Sequence, residues 1–167
     1  MDGFDAKKYL DAQNASWDSY EQALGEIRRG RKVSHWIWYI FPQLKGLGHS
    51  GTSEYYGIGS LDEAKQYLQN QLLRERLIEI SEALLEQEGR IESIVGYVDA
   101  MKVRSCMTLF READPDIEVF GKVLDKFYGG KPDERTLKIV GILALGVPAE
   151  KKEPYERDEL KWEKVHR

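Results

Sequence analysis

Apolar side chains in this chain return every three or four residues, segment after segment, and that spacing is the strongest constraint on what it can fold into. Residues at i, i+3, i+4 and i+7 share one face of an α-helix, whereas a half-buried strand alternates with period two. Trp17, Tyr20, Leu24 and Ile27 form such a face. Ser16 is placed to cap that helix and Gly30 to stop it. Leu72, Leu73, Leu77, Ile80 and Leu84 form a second face that ends before Gly89. Its other side carries Arg74, Glu75, Arg76, Glu79, Glu82 and Glu86, a stripe suited to solvent. Val103, Met107 and Phe110 mark a third helix between Asp99 and Ala113, closed by Asp114-Pro115. Val119, Phe120, Val123, Leu124 and Phe127 mark a fourth from Asp116 to Phe127, stopped by Gly129-Gly130.

Shorter elements fill the gaps. Ser60-Leu61-Asp62-Glu63 has the form of a capping box and opens a helix to about Gln69. Ile91 to Val95 makes one or two helical turns, and Pro132-Asp133-Glu134 opens a last helix through Leu145. The run from Ser34 to Phe41 reads as a short buried helix started by Ser34 and ended by Pro42, although its periodicity also admits a strand. Residues 42–60 read as a structured loop, where Gly46, Gly48, Gly51, Gly57 and Gly59 imply positive backbone angles or close backbone approach. The expected fold is all-α, one multihelical domain over residues 1–147 with about seven to nine short helices. Residues 148–167 mix acids and bases around Trp162 and read as a charged tail or peripheral helix.

Composition decides between a folded and a disordered chain. With 41% apolar and 32% charged residues among 167, there is enough apolar surface for a core. A net charge of −4 gives no general attraction to nucleic acid or to an anionic membrane. The single Cys106 excludes an intrachain disulfide and a multi-cysteine zinc site, which suits a reducing cytoplasm. The first residues lack the regions of a signal peptide, and no apolar run reaches the roughly 18 residues that span a bilayer. A cytoplasmic location is therefore expected.

Two polar groups stand out as candidate chemistry. The first is Ser34, His35, Trp36, Trp38 and Gln43 with the glycine loop after them. Indole rings stack on flat ligands, an imidazole such as that of His35 is the usual side chain for proton exchange, and glycine lets backbone donors approach a phosphate. The plainer role for Trp36, Ile37, Ile40 and Phe41 is core, and for His35 a structural hydrogen bond. The second group is Lys102, Arg104, Ser105 and Thr108 on one helix. Spacings of three and four bring Arg104 to Thr108, and Ser105 to Lys102 and Thr108. Arginine offers a bidentate fork for an anion, and hydroxyls add donors. Salt bridges to Asp99 or Asp125 would account for these cations equally well.

The remaining groups carry less. Cys106 sits beside Met107 on a buried helix and reads as a core thiol. His35, His49 and Glu54 match no metal-binding spacing, His166 lies in the tail, and neither a metal nor a cofactor is implied. Arg28, Arg29, Arg31 and Lys32 suit a solvated helix end beside a C-terminal dipole.

Several strings in this order resemble a known family. They are Gly30-Arg31-Lys32-Val33-Ser34-His35-Trp36-Ile37-Trp38-Tyr39-Ile40-Phe41-Pro42-Gln43-Leu44, Gly46-Leu47-Gly48, Tyr56-Gly57-Ile58 and Ser60 to Ala64. Asp99 to Phe110 and Val123 to Gly130 continue the series. Together, over about residues 4–143, they resemble the bacterial family catalogued as domain of unknown function 1810, the mycobacterial hypothetical-protein family. The resemblance implies an all-helical fold and carries no activity with it. The label calpastatin sometimes attached to such chains does not suit this one, because an aromatic-rich folded domain is unlike a disordered protease inhibitor. A slighter resemblance joins Lys102 to Leu124 with the C-terminal half of the NAD- and ADP-ribose-associated (YbiA-like) family, whose members cleave N-glycosidic bonds; that family's N-terminal motif is not evident here.

The function expected is binding of a nucleotide-like or ADP-ribose-like molecule, or processing of its N-glycosidic bond. The aromatics would stack the base, Lys102 and Arg104 would hold phosphate, and Asp99 or Asp125 could assist cleavage. The alternative is a protein-interaction module or a homodimeric structural domain without catalysis. The partners in view are thus a small molecule or a second copy of the chain, with no membrane and no nucleic acid.

Overall fold

The computed structural model describes residues 4–144. The charged segment 148–167 lies outside the described residues. Ten helices occupy the described chain, seven of them seven residues or longer, and no strand is present among these residues. In order they are α1 (Ala6–Gln13), α2 (Tyr20–Arg28), α3 (Ile37–Ile40), α4 (Gly51–Tyr56) and α5 (Leu61–Gln69). They continue with α6 (Gln71–Leu85), α7 (Ile91–Val95), α8 (Tyr97–Ala113), α9 (Glu118–Tyr128) and α10 (Glu134–Ala144). The all-α expectation is met, with more helices than the apolar spacing alone marks.

Helix α8 is the centre of the packing. It lies against α5, α7, α9 and α10, while α6 backs α2, α5 and α9. Val103, Cys106, Met107, Leu109 and Phe110 of α8 are all fully buried. A ladder of rings crosses the core from Phe4 through Tyr9, Tyr67 and Phe110 to Phe120, with centroids 5.6, 5.4, 5.1 and 6.1 Å apart. Such tilted and stacked pairs add to the stabilisation from burial alone. Burial also pushes the Cys106 thiol well above its usual range, as suits a core residue rather than a nucleophile.

The caps explain where the helices start. Ser60 accepts from the Glu63 amide at 3.1 Å and caps α5, Glu63 Oε1 accepts from the Gly59 amide at 3.3 Å rather than from Ser60, and α5 runs to Gln69 as expected. Asp133 accepts from the Thr136 amide at 2.9 Å and opens α10. At α2 the cap is Ser19, three residues later than Ser16. Trp17 is therefore outside the helix and 75% exposed, because Asp18 adopts a positive φ of 52° that breaks the turn before Tyr20. Leu72, expected on the buried face of α6, is also exposed; Leu73 takes the inward position one residue on.

Two backbone features position the elements around the site. Residues 42–60 contain the short helix α4, capped by Ser50, and one parallel bridge between Leu44 and Ile58. The bridge brings backbone against backbone: a Cβ on Gly57 would lie 2.8 Å from both Lys45 Cα and Ser53 O. Helix α1 is pinned to this loop by Tyr9, whose hydroxyl donates to Tyr56 O at 2.7 Å. The second feature is Gly96, which ends α7 and starts α8 at φ 89°, a conformation that other residues adopt only with strain. It turns α8 so that its first two turns face Trp38 and Gln43 (below).

Candidate functional site

A cavity of about 630 Å³ opens between the first turns of α8, the loop after α3 and the start of α10. Its wall includes Trp38, Gln43, Lys102, Arg104 and Ser105. Five of the nine candidate residues thus meet at one place, although they come from two distant stretches of sequence. Glu92, Tyr97, Val98, Met101, Tyr128, Asp133, Glu134, Arg135 and Lys138 complete much of the remainder.

The charged groups have distinct settings. Lys102 Nζ lies 3.1 Å from Asp99 Oδ1 and 4.3 Å from the centre of the Trp38 ring. Arg104 donates through Nε to Lys131 O at 2.9 Å and lies over the Tyr128 ring. Among the described residues it makes no ion pair, so the rest of its fork is not neutralised by a carboxylate. Tyr128 donates to Ala100 O, and burial pushes its hydroxyl far above the ordinary tyrosine range. It therefore stays neutral and acts as a fixed wall.

Gln43 is 93% buried, and its Nε2 is the one buried side-chain donor or acceptor without a hydrogen-bond partner among the described residues. Buried polar groups are almost always paired, and an unpaired one costs about 1–3 kcal/mol. Ser105 donates to Met101 O at 3.2 Å, a bond within its own helix, and lines the wall.

The other four candidates stand elsewhere. Trp36 is fully buried in the core, the plainer of its two roles. Ser34 is bound to Glu26: its hydroxyl donates to Glu26 Oε2 at 2.6 Å and its amide to Oε1 at 3.0 Å. Ser34 does not start α3, whose first position follows Trp36 without a side-chain cap. His35 is exposed and does not line the cavity. Thr108 is buried behind it, where its hydroxyl donates to Arg104 O and accepts from the Asp133 amide, both at 2.8 Å. That relay ties α8 to the start of α10 and so fixes one wall of the cavity.

Asp99 and Asp125, the acids offered for glycosidic cleavage, are not among the lining residues; Glu92, Asp133 and Glu134 are. No group of three or more His, Cys, Asp or Glu side chains in metal-holding geometry occurs among the described residues. No helix among them is long and apolar enough to cross a membrane.

The sequence profile of a family described as "Protein of unknown function (DUF1810)" matches residues 3–140. The chain belongs to that family. The matched residues include every residue that lines the cavity. The crystal structure of the conserved hypothetical protein Rv1873 from Mycobacterium tuberculosis, at 1.38 Å, is similar to this DUF1810 chain. The two share 42% identity with a TM-score of 0.79, over 83% of this chain and 97% of that one. No curated protein matches the chain. The family resemblance read from the Trp36 and Cys106 strings is thereby shown, and with it the helical fold, while neither finding carries a ligand.

Three residues that matter at the site are not marked as such by the sequence pattern. Lys32 belongs to a basic run that reads as solvated, yet its side chain is only 9% exposed and pairs with Asp99 at 2.9 Å. Glu26 carries no local signal, yet it holds the loop that leads to the cavity. Tyr128 had one usable signal, an aromatic residue at the end of an amphipathic helix just before a glycine pair.

Proposed function

We propose that this cavity binds a small anionic molecule carrying a flat ring, of the nucleotide or ADP-ribose-like class. The observation that carries the reading is the meeting of Trp38, Gln43, Lys102, Arg104 and Ser105 on one cavity of about 630 Å³. That volume is in the range of sites for small ligands, which are mostly apolar with a few convergent polar groups. Trp38 and Tyr128 supply ring faces, Lys102 and Arg104 supply cations, and the Gln43 amide has a donor to spare. A ligand acceptor reaching Gln43 would offset the cost of that unpaired donor. Asp99 is engaged by lysines and Asp125 stands apart, so the reading is binding rather than glycosidic cleavage.

Arg104→Ala tests it. Isothermal titration of AMP, ADP and ADP-ribose into the wild-type chain should show saturable binding by at least one of them. Loss of a charge-assisted fork should weaken that binding about 10- to 100-fold. Circular dichroism should show the variant folded. Unchanged affinity in Arg104→Ala would remove the phosphate role.

A second reading has its own observation. Tyr97, Val98 and Met101 are 72%, 61% and 40% exposed at the rim of the same cavity. Clustered exposed apolar side chains mark contact surfaces. If this rim is a homodimer face, sedimentation should show a concentration-dependent dimer that Tyr97→Asp abolishes; a monomer throughout would contradict it.

A further inference from the structure

Asp99 stands between two lysines. Lys32 Nζ is 2.9 Å from one carboxylate oxygen and Lys102 Nζ is 3.1 Å from the other. All three side chains are mostly buried, with 9%, 22% and 16% exposure for Lys32, Lys102 and Asp99. Each lysine also covers an indole: Lys32 lies 4.9 Å from the Trp36 ring centre and Lys102 4.3 Å from that of Trp38. The two ends differ in one respect. Lys102 and Trp38 line the cavity, whereas Lys32, Asp99 and Trp36 do not. Lys32 is further held by Ser34 O, to which it donates at 2.6 Å.

We infer that Lys32 and Asp99 are positioning residues that allow Lys102 to pass from Asp99 to a ligand phosphate, and that this passage opens the Trp38 ring to the ligand's flat group. The inference rests on the ligand reading above and specifies its chemistry: ring and phosphate must belong to one molecule. The physical argument is a matter of what remains behind. Removing the partner of a mostly buried carboxylate is costly when it leaves the charge unpaired. Here Asp99 keeps Lys32 when Lys102 leaves, so the exchange does not strand a charge. Lys102 at 4.3 Å also occupies the face of Trp38 on which a flat ring would stack. The phosphate that draws Lys102 away thereby clears the stacking surface. A nucleoside lacking phosphate has no means to do so.

A double-mutant cycle on the full-length chain separates this exchange from simple charge effects, with AMP as probe and affinity read by titration calorimetry. Lys32→Met makes Lys102 the sole partner of Asp99 and should weaken AMP binding about five-fold. Asp99→Asn, close to isosteric, releases Lys102 and should tighten binding by a similar factor of about five. In the Asp99→Asn background, Lys32→Met should change affinity by no more than about two-fold, because no carboxylate is left to share. Plain Coulomb effects would give the same Lys32→Met penalty in both backgrounds, and that result overturns the inference. Adenosine should bind wild type at least about 100-fold more weakly than AMP, and equal affinity also overturns it. Absence of AMP binding to wild type would instead defeat the ligand reading, and the inference with it. Asp99→Asn keeps the test decisive if Lys32→Met fails to fold: no gain in affinity there contradicts the exchange.

Discussion

Glu26 gathers four donors from the four residues 33–36: the Val33 amide at 2.7 Å, the Ser34 amide at 3.0 Å, the Ser34 hydroxyl at 2.6 Å and the Trp36 indole at 2.9 Å. Burial pushes its carboxyl upward, but the bonds from Ser34, Val33 and Trp36 outweigh this and hold it at about 2. One carboxylate thus folds the segment that delivers Trp38 to the cavity. Its folded value lies below the ordinary 4.5, so it stabilises the fold above about pH 4.5 and that contribution is lost as pH falls toward 2. Glu26→Ala should lower stability by roughly 4 kcal/mol through the donors it leaves unpaired. Urea melts at pH 7 check this, and the wild-type advantage over the variant should shrink between pH 4.5 and pH 2; a constant gap would contradict the assignment. Nothing in the local pattern marked Glu26. It sits on a helix beside Ile27, where periodicity assigns a charged residue to solvent, and its partners are revealed only when the loop folds back.

At the scale of elements, the long amphipathic helices were legible in the sequence because their apolar spacing comes from packing. Helices α5 and α7 to α9 begin and end within about two residues of the expected places, while α6 stops at Leu85, short of Gly89. The short ones were not. Helix α1 is eight residues long with only Tyr9 and Leu10 as large apolar side chains, and α4 is one and a half turns inside a glycine-rich run. Their existence depends on tertiary contacts, such as Tyr9 on Tyr56 O. The glycine reading was sound in kind. At Gly57 the requirement is space, since a side chain would meet the backbone of Lys45 and Ser53. Gly57→Ala should therefore cost roughly 2 kcal/mol in thermal unfolding. Gly51→Ala, where nothing lies within 4 Å of the added carbon, should be neutral or slightly stabilising at the first turn of α4. Equal effects at the two positions would show that the bridge between Leu44 and Ile58 does not set the loop.

At the scale of the whole molecule, the fold is a way of bringing two polar stretches together over a hydrophobic core. The sequence supplied the two halves of the site but not their junction, because Trp38 and Lys102 lie far apart in the chain and meet only through the packing of α8. It also could not separate Trp36 from Trp38, two residues apart at the start of α3: one is wholly buried and the other faces the cavity. The central claim is that this junction holds an anionic, flat-ringed molecule. The most direct measurement is the thermal unfolding midpoint of the full-length chain with AMP, ADP, ADP-ribose and adenosine. A ligand at 100 times its dissociation constant stabilises the native state by about 2.7 kcal/mol. For a chain of this size that raises the midpoint by about 5–11 °C. A rise of that order with at least one phosphate-bearing compound, and none with adenosine, is the predicted result. No rise with any of them at millimolar concentration would contradict it.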